Sequence, residues 1–204
     1  MNFHDFRKQF FELGCFSIHQ VYAWRETFDK NNLTRWTKQK HLLALRQSFY
    51  AFPEYLSQPG FAFFVSNTIY KPSYVSLHTA LAFYGMIPEA VTQITAVSSL
   101  KTAHFENAFG SFSYLKMKNN LFFGYDLLPL GERTIRIAQP EKAILDLLYL
   151  YPFYNTENEI ENLRFDEDFV RHNLNVGTLA LYLDKFNNKE VAKRVEIFTD
   201  MYDI

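Results

Sequence analysis

The chain has 204 residues, of which 48% are hydrophobic and 18% aromatic, with 22 Phe and 13 Tyr. This composition supplies a packed core and lacks the low hydrophobicity of disordered chains. At this length the chain holds one compact domain, or a small domain joined to a larger one. No apolar run reaches the roughly 18 residues of a membrane-spanning helix, and the start does not have the form of a secretory signal. We therefore expect a cytoplasmic protein that does not contact a membrane.

The charge is unevenly distributed, although the net charge of −1 argues against a general affinity for phosphate polymers. Residues 1–50 contain eight Lys or Arg and four Asp or Glu, a net charge of +4, so the remainder carries −5. A small nucleic-acid reader attached to an acidic partner domain would show this split, and so would a merely uneven surface. The single Cys15 excludes an internal disulfide, and we expect it to be a buried structural thiol.

The start of the chain predicts two helices. Apolar residues recur at helical spacing over residues 2–13, which indicates an amphipathic helix that ends at Gly14. Ser17 and Gln20 have the spacing of a capping box, in which each side chain satisfies a free backbone donor at a helix start. The second helix therefore begins there, and its apolar face extends to Phe28.

A third helix and a hairpin complete the first fifty residues. Residues 33–40 place Leu33 and Trp36 on an inner face and leave polar and basic side chains on the outer face. Such side chains bond phosphates and base edges in the major groove, although a charged outer face is often only solvated. Gln47 and Ser48, followed by an aromatic run, indicate a hairpin, so the order is that of a winged helix-turn-helix. The predicted DNA-binding residues are Thr34, Arg35, Thr37, Lys38, Gln39, Lys40, Arg46 and Ser48.

A second domain is predicted to follow a short linker. Residues 53–60 contain two prolines and a glycine, so we expect a first domain at residues 1–56 and a second at residues 61–204. The second domain opens with an apolar run that fits a strand or a helix equally well. A short helix capped by Ser76 comes next and ends at Gly85.

The rest of the second domain predicts a sheet and more helices. Pro140 begins a helix at its first turn, and a helical tail starts at about residue 157, with two or three helices after residue 165. The fold class is therefore α+β: a winged helix-turn-helix, then a mixed α/β domain with a largely antiparallel sheet and C-terminal helices. The strands are predicted at residues 93–98, 112–116, 121–125 and 134–138.

A series of short motifs carries a resemblance to a known family. The motifs are SYVSL at residues 73–77, AL at 80–81, YG at 84–85, IPEAV at 87–91, a strand at 94–99, FGSFSY at 109–114, FFGY at 122–125 and AQPEKAILDLLY at 138–149. In this order they resemble the AbiEi-type antitoxins, a family of predicted transcriptional regulators of viral defence. Residues 16–52 resemble the N-terminal domain of that family, including the leucine-threonine-arginine-tryptophan start of the third helix. The resemblance covers most of residues 16–150.

The resemblance implies a function. It implies a DNA-binding repressor that regulates its own operon and acts as the antitoxin of a type IV toxin–antitoxin system, in abortive infection of phage-infected cells. The operator DNA would carry inverted repeats upstream of that operon. The functional partner would be a nucleotidyltransferase-like toxin, often without a stable complex. Family members often have glycine before the first wing strand and at the wing turn, where this chain has His41 and Ser48.

The sequence also contains residues that could support other functions. The candidates for catalysis are Glu141, Lys142, Asp146, His78 and His104. Each has a plain structural interpretation, such as an ion pair between Lys142 and Asp146, four residues apart. No metal-ligand spacing and no glycine-rich phosphate loop is present in the sequence, so we expect no enzyme, no cofactor and no metal. Two alternatives stay open: an antitoxin or adapter that acts by protein contact, and a nucleotide- or nucleic-acid-processing enzyme with carboxylates assembled from Asp126, Glu141 and Asp146.

Overall fold

The computed structural model describes residues 1–88 and 92–204, so the motif at residues 87–91 lies largely outside the described residues. Within them the chain forms ten α-helices and nine strands in two sheets, and the fold is mixed α and β. Of the helices in this part of the chain, none combines the length and apolar character that crossing a bilayer requires.

The N-terminal unit contains three helices and a three-stranded sheet. Its elements are α1 (Phe3–Phe10), β1 (Cys15–Ser17), α2 (Ile18–Trp24), α3 (Asn31–Lys38), β2 (Leu43–Arg46) and β3 (Phe49–Ala51). Strand β3 lies between β1 and β2 and is antiparallel to both, which confirms the predicted hairpin. The capping box of Ser17 and Gln20 is also confirmed. The expected extension of α2 to Phe28 is wrong, because Arg25 is already extended and ends the helix.

The second unit is built on a six-stranded sheet of order β6-β7-β5-β4-β9-β8. Its strands are β4 (Ser73–Val75), β5 (Gln93–Ser98), β6 (Ala103–Asn107), β7 (Gly110–Lys116), β8 (Tyr125–Leu130) and β9 (Arg133–Ala138). Three pairings of the described strands are antiparallel, but β5 with β7 and β4 with β9 are parallel. The sheet is therefore mixed rather than largely antiparallel. The β6–β7 hairpin folds back and inserts β7 beside β5, so these two strands run in the same direction.

Helices surround this sheet. They are α4 (Phe61–Ile69), α5 (Leu77–Phe83), α6 (Pro140–Leu150), α7 (Glu157–Glu161), α8 (Glu167–His172), α9 (Val176–Phe186) and α10 (Lys189–Tyr202). The predicted helix at Pro140, the helical tail from residue 157 and the three helices after residue 165 are confirmed. The ambiguous apolar run is helix α4. Side chains of α6, α9 and α10 share one apolar core with the sheet.

Two local predictions in the second unit are wrong. The strand expected at residues 121–125 is absent: a single 3-10 turn, Asn119–Leu121, is followed by irregular chain, and β8 begins only at Tyr125. Gly124 takes a φ of +70°, which a strand does not accommodate, and a Cβ there would lie 3.1 Å from Cγ of Lys142. The Ser76 hydroxyl makes no cap bond and instead donates to the carboxylate of Asp146 at 2.8 Å.

The apolar core continues across the expected domain boundary. The 3-10 helix Pro53–Ser57 joins the two units, and Phe61 of α4 and Tyr114 of β7 belong to the same buried cluster as Phe16 of β1. Arg133 of β9 reaches back to the N-terminal unit, where its Nη2 donates to the backbone oxygen of Glu12 at 2.7 Å. The two units therefore meet through packed side chains and hydrogen bonds.

Candidate nucleic-acid interface

Helix α3 is anchored by its inner face. Leu33 and Trp36 are only 1% and 2% exposed, and the ring centroid of Trp36 lies 4.7 Å from that of Phe6 in α1. At the start of the helix, the Asp29 carboxylate accepts a hydrogen bond from the Asn31 backbone N–H at 3.0 Å. Aromatic burial of this size fixes the rotation of α3, and with it the direction of the opposite face.

The outer face of α3 is polar, basic and open to solvent. Thr34, Arg35 and Lys38 are exposed on the helix, and Gln39 and Lys40 are exposed in the turn that directly follows it. Among the described residues, no salt bridge involves Arg35, Lys38 or Lys40, so their charges are not neutralised locally. Two unpaired cations on the helix and a third in the turn after it match the requirement for contacts to phosphate oxygens.

Arg35 is positioned by a residue that the sequence reasoning missed. Its Nη2 donates to Oδ1 of Asn32 at 2.7 Å, and its guanidinium carbon lies 6.0 Å from the Trp36 ring centroid. Asn32 therefore orients the planar donor group along the outer face of the helix. The spacing of three residues, which brings side chains together on a helix, was the available signal.

Thr37 does not belong to the exposed set. Its side chain is half-buried, and its Oγ1 atom is buried without a hydrogen-bond partner among the described residues. The expectation that this hydroxyl faces DNA is wrong, because position 37 follows Trp36 toward the interior rather than lying on the side of Arg35 and Lys38.

Arg46 lies in the junction between the two units rather than beside the exposed face of α3. Its Nη1 donates to the backbone oxygen of Ile69 at 2.6 Å, and its guanidinium carbon lies 4.5 Å from the ring centroid of Phe105. The neighbouring backbone oxygen of Leu45 accepts a hydrogen bond from Asn107 of β6 at 3.2 Å. Strand β2 is thus fixed to the large sheet on this side.

Ser48 forms the turn of the hairpin between β2 and β3. Its φ is +69°, a left-handed conformation that glycine adopts most easily. Its backbone oxygen accepts a hydrogen bond from the Ile18 N–H at 2.8 Å, which ties the turn to the start of α2. Lys40 also has a positive φ, of +60°, directly before the exposed His41. Left-handed backbone thus occurs at Ser48 and immediately before His41.

Three of the candidate catalytic side chains, Glu141, Lys142 and Asp146, are buried and bonded to other residues of the fold. The ion pair of Lys142 and Asp146 is fully buried, and Asp146 also accepts from the hydroxyl of Tyr74 at 2.9 Å. Burial lowers the pKa of Lys142 and raises the pKa of Asp146, and the opposite charge of each partner counteracts the shift. Oε1 of Glu141 accepts from the Asn175 N–H at 2.8 Å.

The three carboxylates considered for an assembled site bond different partners, since Asp126 accepts from the side-chain amide of Gln139 at 2.8 Å. Across residues 1–88 and 92–204, no group of three or more His, Cys, Asp or Glu side chains is placed to hold a metal ion. The comparisons with known proteins give no family. No protein-family model matches the chain, and no curated protein matches it.

Proposed function

We propose that this protein is a DNA-binding transcriptional repressor of the AbiEi antitoxin type, whose N-terminal unit is a winged helix-turn-helix with α3 as the recognition helix. The observation that carries the proposal is the outer face of α3. Two cations and one hydroxyl lie there without neutralising carboxylates, a third cation and an amide follow in the next turn, and the inner face of the helix is fixed by Trp36. The motif order in the second unit supports the assignment to an antitoxin that represses its own operon.

The proposed contact surface is Thr34, Arg35, Lys38, Gln39 and Lys40, with Ser48 at the tip of the hairpin. Arg35 and Gln39 carry donors suited to base edges, while Lys38 and Lys40 supply charge for phosphates. Arg46 and Thr37 are left out of it, because their polar groups are engaged or buried elsewhere. The proposed partner is a nucleotidyltransferase-like toxin, whose supply the repressor limits through transcription.

The direct test is binding to duplex DNA from the region upstream of the gene, measured by fluorescence anisotropy over a range of salt concentrations. We expect affinity to fall steeply with salt, and the double substitution of Arg35→Ala with Lys38→Ala to weaken binding by about 100-fold or more. The salt slope should also fall by about one for each phosphate contact removed.

A matched control removes the same charge elsewhere. The double substitution of Lys118→Ala with Lys193→Ala changes two exposed lysines of the second unit and should leave operator affinity within about twofold. Equal affinity of the Arg35 and Lys38 variant and the parent protein would refute the assigned surface. Stable co-purification with the neighbouring gene product, without any promoter binding, would instead favour an antitoxin that acts by protein contact.

A further inference from the structure

A cavity of about 410 Å3 lies between the N-terminal unit and helix α4. Its apolar lining residues are Leu13, Cys15, Phe49 and Phe64, and its polar lining residues include Thr68 and Lys71. Ser17 and Gln20 also border it, and the Ser17 hydroxyl and Oε1 of Gln20 are used in the capping box of α2. Mixed walls with few polar groups are typical of small-molecule sites, whose volumes lie between about 300 and 1,000 Å3.

The volume limits the size of a ligand. One water molecule takes about 30 Å3 of liquid, so the cavity has room for roughly a dozen non-hydrogen atoms. Leu13 is 41% exposed and Lys71 is also exposed, so the cavity is accessible from solvent on their side. A molecule of the size of a substituted bicyclic aromatic ring can therefore enter the cavity from that side.

The polar wall indicates the charge of the ligand. Lys71 is the only charged residue among those that line the cavity, and its ammonium lies close enough to the buried Cys15 to oppose the rise that burial causes in the thiol pKa. Thr68 is 7% exposed, and its hydroxyl forms no hydrogen bond in the described part of the chain. An ammonium and an unused hydroxyl that line the same cavity can each donate a hydrogen bond to a carboxylate bound there.

We propose that this cavity binds a small monocarboxylate with an aromatic or other apolar body of about a dozen non-hydrogen atoms. The carboxylate bonds Lys71 and Thr68, and the body lies between Phe49 and Phe64. The site lies between the two units rather than on the outer face of α3, and ligand binding can be measured without DNA. It therefore stands or falls independently of the proposed repressor function.

The probe is 2-naphthoate, and its uncharged analogue 2-naphthamide has the same shape. Titration calorimetry with the full chain should give a dissociation constant of about 1 mM or tighter for the carboxylate. Lys71→Met keeps the side-chain length and removes the charge, and should weaken 2-naphthoate about tenfold while leaving 2-naphthamide unchanged. Thr68→Val should weaken 2-naphthoate severalfold, and Lys118→Met serves as the control with an exposed lysine outside the cavity.

Cys15 provides a second readout, because it is the only cysteine of the chain and lines the cavity. Mass spectrometry after treatment with methyl methanethiosulfonate gives the rate at which this thiol is modified, and saturating 2-naphthoate should slow it at least fivefold. Absence of binding, or binding without protection of Cys15, would overturn the site. Equal binding of the carboxylate and the amide, or of Lys71→Met and the parent, would overturn the assignment of an anionic ligand.

Discussion

Replacing Lys142 by methionine tests how much its charge stabilises the buried carboxylate of Asp146 in the second unit. Lys142 and Asp146 are both completely buried, and the carboxylate also accepts hydrogen bonds from the hydroxyls of Tyr74 and Ser76. Lys142→Met keeps an unbranched apolar side chain and removes only the ammonium. Asp146 then has hydroxyl donors but no opposite charge.

The expected loss of stability arises because the Asp146 carboxyl must either stay charged without its partner or take up a proton. Removing one partner of a buried ion pair costs about 3–5 kcal/mol. Protonating a carboxyl with a usual pKa of 3.8 at pH 7 costs about 4 kcal/mol, so neutralisation gives no easier route. Without Lys142, burial raises the pKa of Asp146 further. The folded pKa lies above the unfolded value already in the parent and further above it in the variant, so the variant loses more stability than the parent as pH rises above about 4.

Urea unfolding of the parent and the variant at pH 5 and pH 7 measures this. The difference in the free energy of unfolding should be about 4 kcal/mol at pH 7 and smaller at pH 5. Lys193→Met, at an exposed position of α10, should change stability by less than about 0.5 kcal/mol. Combining Lys142→Met with Asp146→Leu should recover part of the loss. A deficit below about 1 kcal/mol at pH 7, or one independent of pH, would contradict the reasoning.

Three further predictions concern the N-terminal unit and its junction. Arg133→Met removes hydrogen bonds to Glu12 and Tyr55 and the contact of the guanidinium with the Tyr55 ring. It should lower the free energy of unfolding by about 2 kcal/mol, and an unchanged urea midpoint would contradict this. Thr37→Val replaces a buried hydroxyl without a partner and should stabilise the protein by about 1 kcal/mol with unchanged DNA affinity, whereas weaker DNA binding would return Thr37 to the interface. Burial raises the pKa of the Cys15 thiol from 9.0 to about 12, so the thiol ionises first in the unfolded chain and stability falls as pH rises from 9 towards 12. Between pH 8 and pH 10 the parent should lose about 1.4 kcal/mol more than Cys15→Ala, and parallel pH profiles would contradict that account.

Local signals in the sequence identified the elements that have a strong local cause. The capping box at Ser17, the left-handed glycine at Gly85 and the proline at the first turn of α6 each fix a helix boundary through neighbouring atoms. The inner face of α3 was also predictable, because Leu33 and Trp36 are apolar at helical spacing. These features needed no knowledge of the tertiary structure.

Features that depend on distant contacts were not predictable in this way. The three-residue strands β1 and β4 are too short to show periodicity of their own, and they form because strands distant in the sequence pair with them. The hydroxyl of Ser76 is drawn from its cap by Asp146, which is 70 residues away. Arg46 is a residue type that often contacts DNA. Its hydrogen bond to the backbone oxygen of Ile69 and its contact with the Phe105 ring hold it in the junction instead. For the candidate interface, therefore, the recognition helix could be predicted from the sequence. Which polar side chains face solvent and which are engaged elsewhere could not.

The shared core between the two units couples distant positions to the proposed DNA-binding surface. Phe16 and Tyr114, nearly one hundred residues apart, belong to one buried cluster, so unfolding of the large sheet also exposes the surface on which α3 rests. A substitution such as Lys142→Met lowers the fraction of molecules that present an intact outer face, although it touches no residue of that face. A mutational screen scored only by loss of operator binding will therefore return core positions of the second unit alongside Arg35. Measuring the folded fraction of each variant separates the two classes.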